Sequence, residues 1–137
     1  MNRKIMEITK EFLDGLTEQA KQSPRLRISY DLRNVPNDNS QRVLNALEPG
    51  TEVAIHRHLA SSETTALIRG SLLMRIYNDD GTEKESFVVG AKGLVSFYVL
   101  AKGTWHTCDV LESGTIMFEA KDGKYEPVSP NDIMRIK

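Results

Sequence analysis

Turn residues break the chain after Arg25 so often that no long helix fits there, and this limits its fold more than any other feature. Eight short runs with strand-like patterning (26–32, 41–47, 51–59, 64–77, 83–89, 94–100, 105–111 and 115–120) follow one another. Gly, Pro, Asn or Asp clusters at 34–39, 48–50, 78–81 and 112–114 separate several of them. Asp80-Gly81 between two such runs predicts a hairpin, because glycine takes positive φ without steric cost. Many short strands without intervening helices imply an all-β, antiparallel barrel or jelly roll.

The first segment has a different period. Ile5, Ile8, Phe12, Leu13, Leu16 and Ala20 recur at spacings of three and four, which places them on one stripe of an N-terminal helix. Ser23-Pro24 ends it, since the residue before proline avoids helical geometry. The expected organisation is one domain over residues 1–137, with a helix in 1–23, a barrel in 25–121 and an irregular tail in 122–137. Exposed strand edges and an apolar helix both need cover, so a homodimer is expected.

Charge excludes two classes of partner. Charged residues make up 27% of the chain but balance to a net charge of -1, which leaves no basic patch for nucleic acid or an acidic membrane surface. The single cysteine, Cys108, forms no internal disulfide and no cysteine-based zinc site. No apolar run near the N-terminus reads as a secretion signal, and none reaches the ~20 residues of a membrane helix; a cytoplasmic location is expected.

The chemistry concentrates in one stretch. Between Gly50 and Gly70 stand His56, His58 and Glu63. Side chains two apart on an extended strand share a face, so His56 and His58 project together while Arg57 points away. Two imidazoles and a nearby carboxylate suit a first-row divalent ion. The stretch fits the pattern G-x5-H-x-H-x4-E-x6-G at every fixed position. It therefore resembles the first motif of the cupin superfamily, which implies a cupin jelly-roll barrel. A second cupin motif, G-x5-P-x-G-x2-H-x3-N, is similar around Gly103-Thr104-Trp105-His106 and implies His106 as the fourth ligand. Val95, Ala101 and Val110 stand where that motif has glycine, proline and asparagine. The protein's three histidines all fall on implied ligand positions.

Beyond these motifs, the chain resembles the WbuC-type family of small cupin-fold metalloproteins, often encoded near surface-polysaccharide genes. The resemblance rests on Ser23-Pro24-Arg25-Leu26-Arg27, Tyr30-Asp31-Leu32, His56-Arg57-His58, Gly103–Thr107 and Phe118–Tyr125. Gly123-Lys124-Tyr125 departs from the glycine-proline pair common in that family.

The expected cofactor is one divalent metal ion, with Zn, Fe, Ni, Mn and Co all compatible with three imidazoles and a carboxylate. Arg25 and Arg27 are candidates to pair with an anionic substrate, and Tyr30 and Asn45 to line the same opening. The family resemblance adds Lys121 and Tyr125. Three activities remain open: a metal-dependent enzyme on a small polar or sugar-derived substrate, an Fe(II)-dependent dioxygenase, and a non-catalytic ligand-binding or sensing cupin.

Overall fold

The structure is a computed structural model, and it describes residues 4–134. The one α-helix among the described residues, α1 (Lys10–Gln22), starts later than the apolar spacing implies. Thr9 is the reason. Its backbone is extended and its hydroxyl accepts from the amide of Phe12, which satisfies a free N–H of the first turn. Ile5 and Ile8 therefore lie outside the helix and exposed. Ser23 ends it in extended geometry, with its amide bonded to the carbonyls of Gln19 and Ala20.

Eight strands follow: β1 (Arg27–Asp31), β2 (Ser40–Leu47), β3 (Glu63–Arg69), β4 (Ser71–Tyr77), β5 (Glu83–Gly90), β6 (Phe97–Leu100), β7 (Trp105–Val110) and β8 (Thr115–Asp122). They form a five-stranded sheet of order β1-β2-β8-β3-β6 and a three-stranded sheet of order β5-β4-β7, each with antiparallel pairing. The apolar core between the sheets includes Leu72, Met74, Val89, Leu100 and Met117. Helix α1 covers the outer face of the larger sheet, where Leu13, Leu16 and Ala20 pack on Leu44, Ala46 and Ile116. Strand alternation thus gives β1, β2 and β8 one face for the helix and one for the interior.

The run 64–77 is two strands rather than one. Gly70 separates β3 from β4 with φ at +85°, and a Cβ there would lie 2.5 Å from the Cα of Thr115. Only glycine permits both the backbone and the close approach.

The run 51–59 forms no strand, and the expected antiparallel jelly roll is present as two sheets that do not close into a barrel. The backbone groups of 51–59 are engaged in several directions. His56 exchanges two hydrogen bonds with His106 of β7 (3.1 and 2.9 Å), whereas Arg57 N bonds to Asp132 O and Ile55 O accepts from Met134 N. A ladder on either side stops after one bridge. The tail is irregular over 124–129 and then carries a 3-10 turn at Pro130–Asp132. Among the described residues no helix is long and apolar enough to cross a membrane.

Candidate metal centre

The connection before β3 and the start of β7 bring the three histidines together. Ring centroids lie 4.4 Å apart for His56 and His106, 5.0 Å for His56 and His58, and 5.8 Å for His58 and His106. One potential ligand atom from each lies within 4.8 Å of the others.

Local backbone geometry orients two of the rings in the same way. His56 Nδ1 lies 2.8 Å from the carbonyl of Ala54, and His106 Nδ1 lies 2.8 Å from that of Thr104. A carbonyl only accepts, so each Nδ1 donates, and each ring turns its Nε2 away from its own backbone. This is the arrangement by which backbone carbonyls orient metal-ligating imidazoles. Gly103 supports it, because its left-handed backbone (φ +79°) turns its amide onto His58 O at 2.8 Å.

Burial keeps His56 below the usual histidine range, with the neighbouring His106 adding to the effect. Burial, followed by the charge of Lys121, pushes His58 down to about 4. Both are therefore neutral at pH 7, the form that ligates a metal.

Glu63 is buried, and its Oε2 lies 3.3 Å from His106 Nε2. Burial alone raises a carboxyl pKa, but contact with His106 and the charge of Lys121 outweigh it and hold Glu63 at about 2. Glu63 Oε2 and His58 Nε2 are both buried without a hydrogen-bond partner. Buried polar atoms left unsatisfied cost ~1–3 kcal/mol each. A divalent ion would satisfy both lone pairs, so the donor set of three imidazoles and a carboxylate fits the expected metal.

The strongest feature missed in the sequence is Glu119. Met117, Glu119 and Lys121 alternate along β8 and face inward, so period-two patterning was the available signal. Glu119 touches Glu63, and burial, then Glu63's charge, raise it to about 8. Of these two carboxylates one is ionised and the other protonated near neutral pH. Lys121 Nζ stands 3.8 Å from Glu119 Oε2.

A cavity of about 270 Å³ opens beside His56, His106 and Glu63. Arg25, Arg27 and Asn45, three of the candidate substrate residues, are among those that line it. Leu26, between the arginines, is the sole described non-glycine residue with positive φ (+56°). Its carbonyl accepts from Glu48 N, and Arg25 O accepts from the Thr51 hydroxyl, so the strained turn is held on both sides. Tyr30 does not reach the cavity. It lies on the opposite face of β1, edge-on to Phe12 at 4.9 Å, because its neighbour Ser29 takes the inward position. Cys108 lines the cavity as a buried free thiol, pushed up to about 12 by burial.

A second groove of about 520 Å³ lies outside the histidines, bounded by His58 and by residues 121–129. Tyr125 sits there, exposed and beneath Arg33 at 5.5 Å. His56 and Lys121 line both spaces, so the histidine cluster stands between cavity and groove.

Solved structures share this architecture. Oxalate oxidase in complex with the substrate analogue glycolate aligns with a TM-score of 0.63 at 16% identity, over 78% of this chain and 56% of that one. The capsular polysaccharide assembling protein CapF from Staphylococcus aureus aligns at 0.59 and 18%, over 77% of this chain and 28% of that one. KdgF from Halomonas sp. aligns at 0.56 and 13%, over 75% of this chain and 84% of that one. The chain spans about half the length of the oxalate oxidase chain. At such identities the likeness concerns the fold alone, and the fold is that of the cupins, here carrying a histidine cluster able to hold a metal. Within that class the chain belongs to the DUF6016 family, a domain of unknown function, which matches residues 8–89 and so includes His56, His58 and Glu63. No curated protein matches it.

Proposed function

We propose that this chain is a metal-dependent cupin enzyme whose His56, His58, Glu63 and His106 hold one divalent ion, and whose cavity takes a small anionic, sugar-derived substrate. One observation carries the reading: oriented imidazoles and unsatisfied buried lone pairs converge beside a cavity that also contains two arginines. Neither Arg25 nor Arg27 has an ion-pair partner among the described residues, which leaves both guanidinium groups free for a carboxylate or phosphate.

The volume limits the substrate. A cavity of about 270 Å³ has room for a small substrate such as a sugar acid or keto sugar. When bound, the ion supplies Lewis acidity that polarises a carbonyl or hydroxyl oxygen. Arg25 and Arg27 hold the anionic end of the substrate. Asn45, whose Oδ1 accepts from Ser29 Oγ, presents its amide N–H groups to hydroxyls. Glu119, protonated beside ionised Glu63, is placed to pass a proton to or from the substrate. The likeness to CapF and the resemblance to the WbuC-type family support a link to surface-polysaccharide metabolism.

The likeness to oxalate oxidase bound to glycolate favours a second reading, oxidation of a small hydroxy acid by an iron- or manganese-loaded form. One experiment separates the two. Protein purified anaerobically is analysed for metal, then assayed with sugar acids, keto sugars, nucleotide sugars and glycolate under each candidate ion. Isomerisation without oxygen uptake supports the first reading, and oxygen-dependent turnover supports the second. Absence of stoichiometric metal, with metal content unchanged by His56→Ala and His106→Ala, overturns both. Stoichiometric metal without turnover favours a binding module.

A further inference from the structure

We infer that Asp132, Arg57 and Trp105 form a clamp outside the cavity that sets the spacing of the metal-ligating histidines; this rests on the metal reading above. Arg57 lies between His56 and His58 in sequence and projects away from them. Its Nε donates to Asp132 Oδ1 at 2.9 Å, and its backbone amide donates to Asp132 O at 3.0 Å. Both side chains of this pair are mostly buried, 26% and 15% exposed, so the ion pair is better shielded than a surface one. The guanidinium lies over the Trp105 ring at 4.4 Å. Trp105 directly precedes His106, and its Nε1 donates to Asp79 Oδ1 at 3.0 Å.

Each ligand-bearing segment therefore has its outward neighbour held in one stack. Arg57 belongs to the segment of His56 and His58, and Trp105 to that of His106. The direct backbone links between these segments are the bridge from His56 to His106 and the bond from Gly103 N to His58 O, with no ladder beyond them. That leaves side-chain contacts on the outer face to help set the angle between the segments. The tail closes the clamp from outside, where Ser129 caps the 3-10 turn carrying Asp132 and Met134 N bonds to Ile55 O. Arg57, Trp105 and Asp132 are positioning residues. They touch neither cavity nor ion, and they act through the histidines.

The test uses the full chain stripped of metal and titrated with Co²⁺, whose visible bands report ligand geometry directly. Variants are Asp132→Ala, Arg57→Met and, as a control on the edge strand β5, which carries no member of the clamp, Glu83→Gln in the Arg75 ion-pair cluster. Arg57→Met keeps the apolar stem on Trp105 and removes the fork, so it serves if Asp132→Ala fails to fold. The clamp variants are expected to weaken Co²⁺ binding ~10–100-fold, the loss usual when groups that orient metal ligands are removed. Their visible bands shift in position or intensity, whereas Glu83→Gln matches wild type. Wild-type affinity and spectrum in folded Asp132→Ala and Arg57→Met would overturn the clamp while leaving the metal reading intact. If the wild-type protein takes up no Co²⁺, the metal reading falls and the clamp with it.

Discussion

At the scale of single residues, the site is a set of opposed protonation preferences. His58 sits at about 4 in the folded chain, against 6.5 for an ordinary histidine, because burial and then Lys121 disfavour its charged form. Between those values the unfolded chain binds a proton that the folded chain refuses, so His58's contribution is complete above pH 6.5 and is lost as pH falls towards 4. His56 acts in the same direction. Glu119 acts oppositely, since its raised folded value makes its contribution complete below 4.5 and lost as pH rises through about 8. The two effects overlap, so the measurable quantity is a difference between proteins. Thermal melts of metal-free His58→Gln and wild type, taken from pH 7.5 to 4.5, are expected to converge as acid removes the wild-type histidine's contribution. A constant gap would show that His58 is not held neutral. The candidate site was legible because motif spacing singles out His56, His58 and Glu63 at once. Tyr30 misled because an aromatic beside two arginines suggests recognition, whereas its place in the strand alternation assigns it to α1. Glu119 escaped because no motif includes it and a carboxylate in a strand ordinarily faces solvent.

At the scale of elements, period and turn chemistry predicted most strands within a few residues. The failures have physical causes. The run 51–59 has strand composition, but its amides and carbonyls are shared among β7, Gly103 and the tail, so no ladder extends along it. The helix begins only after the cap at Thr9, and the expected stripe through Ile5 and Ile8 is not helical; residues 1–3 of the expected helix lie outside the described residues. Gly70 was readable as a fixed motif position, yet its purpose emerges only where β3 passes Thr115 and turns into β4. An added methyl at Gly70 meets Thr115 Oγ1 and Cα, and an L-residue is strained at φ +85°. Backbone strain of ~1–3 kcal/mol and overpacking of similar size act together. Gly70→Ala is therefore expected to lower the unfolding free energy by about 2–4 kcal/mol in a urea titration. A loss below about 1 kcal/mol would mean that the β3–β4 corner relaxes easily.

At the scale of the whole molecule, two features remain open in a single chain. One is the outer edge of β6, at the end of the five-stranded sheet, where Phe97 and Val99 are 57% and 64% exposed and no lysine or proline interrupts the strand. Unpaired edges with apolar side chains favour pairing with another chain. The expected outcome is a homodimer by light scattering after size exclusion, shifted towards monomer by Val99→Lys; a monomeric wild type at high micromolar concentration refutes it. The other open feature is the space between the sheets at the histidine end. Glu63 comes from β3 of the larger sheet and His106 from β7 of the smaller, while His56 and His58 come from the segment that joins neither by a ladder. An ion bound by all four would be a direct tie between sheets that backbone hydrogen bonds leave unclosed. Binding to the folded state alone adds RT ln(1 + [L]/Kd), or ~2.7 kcal/mol at a hundredfold excess over Kd. Metal-loaded protein is thus expected to melt several degrees above the stripped form, with the increment growing with metal concentration. In His106→Ala the β7 side of the tie is gone, and the increment should fall to a small remainder. In Glu63→Gln the β3 side keeps a neutral oxygen ligand, so an intermediate increment is expected. Equal increments in wild type and His106→Ala would place the ion elsewhere on the chain.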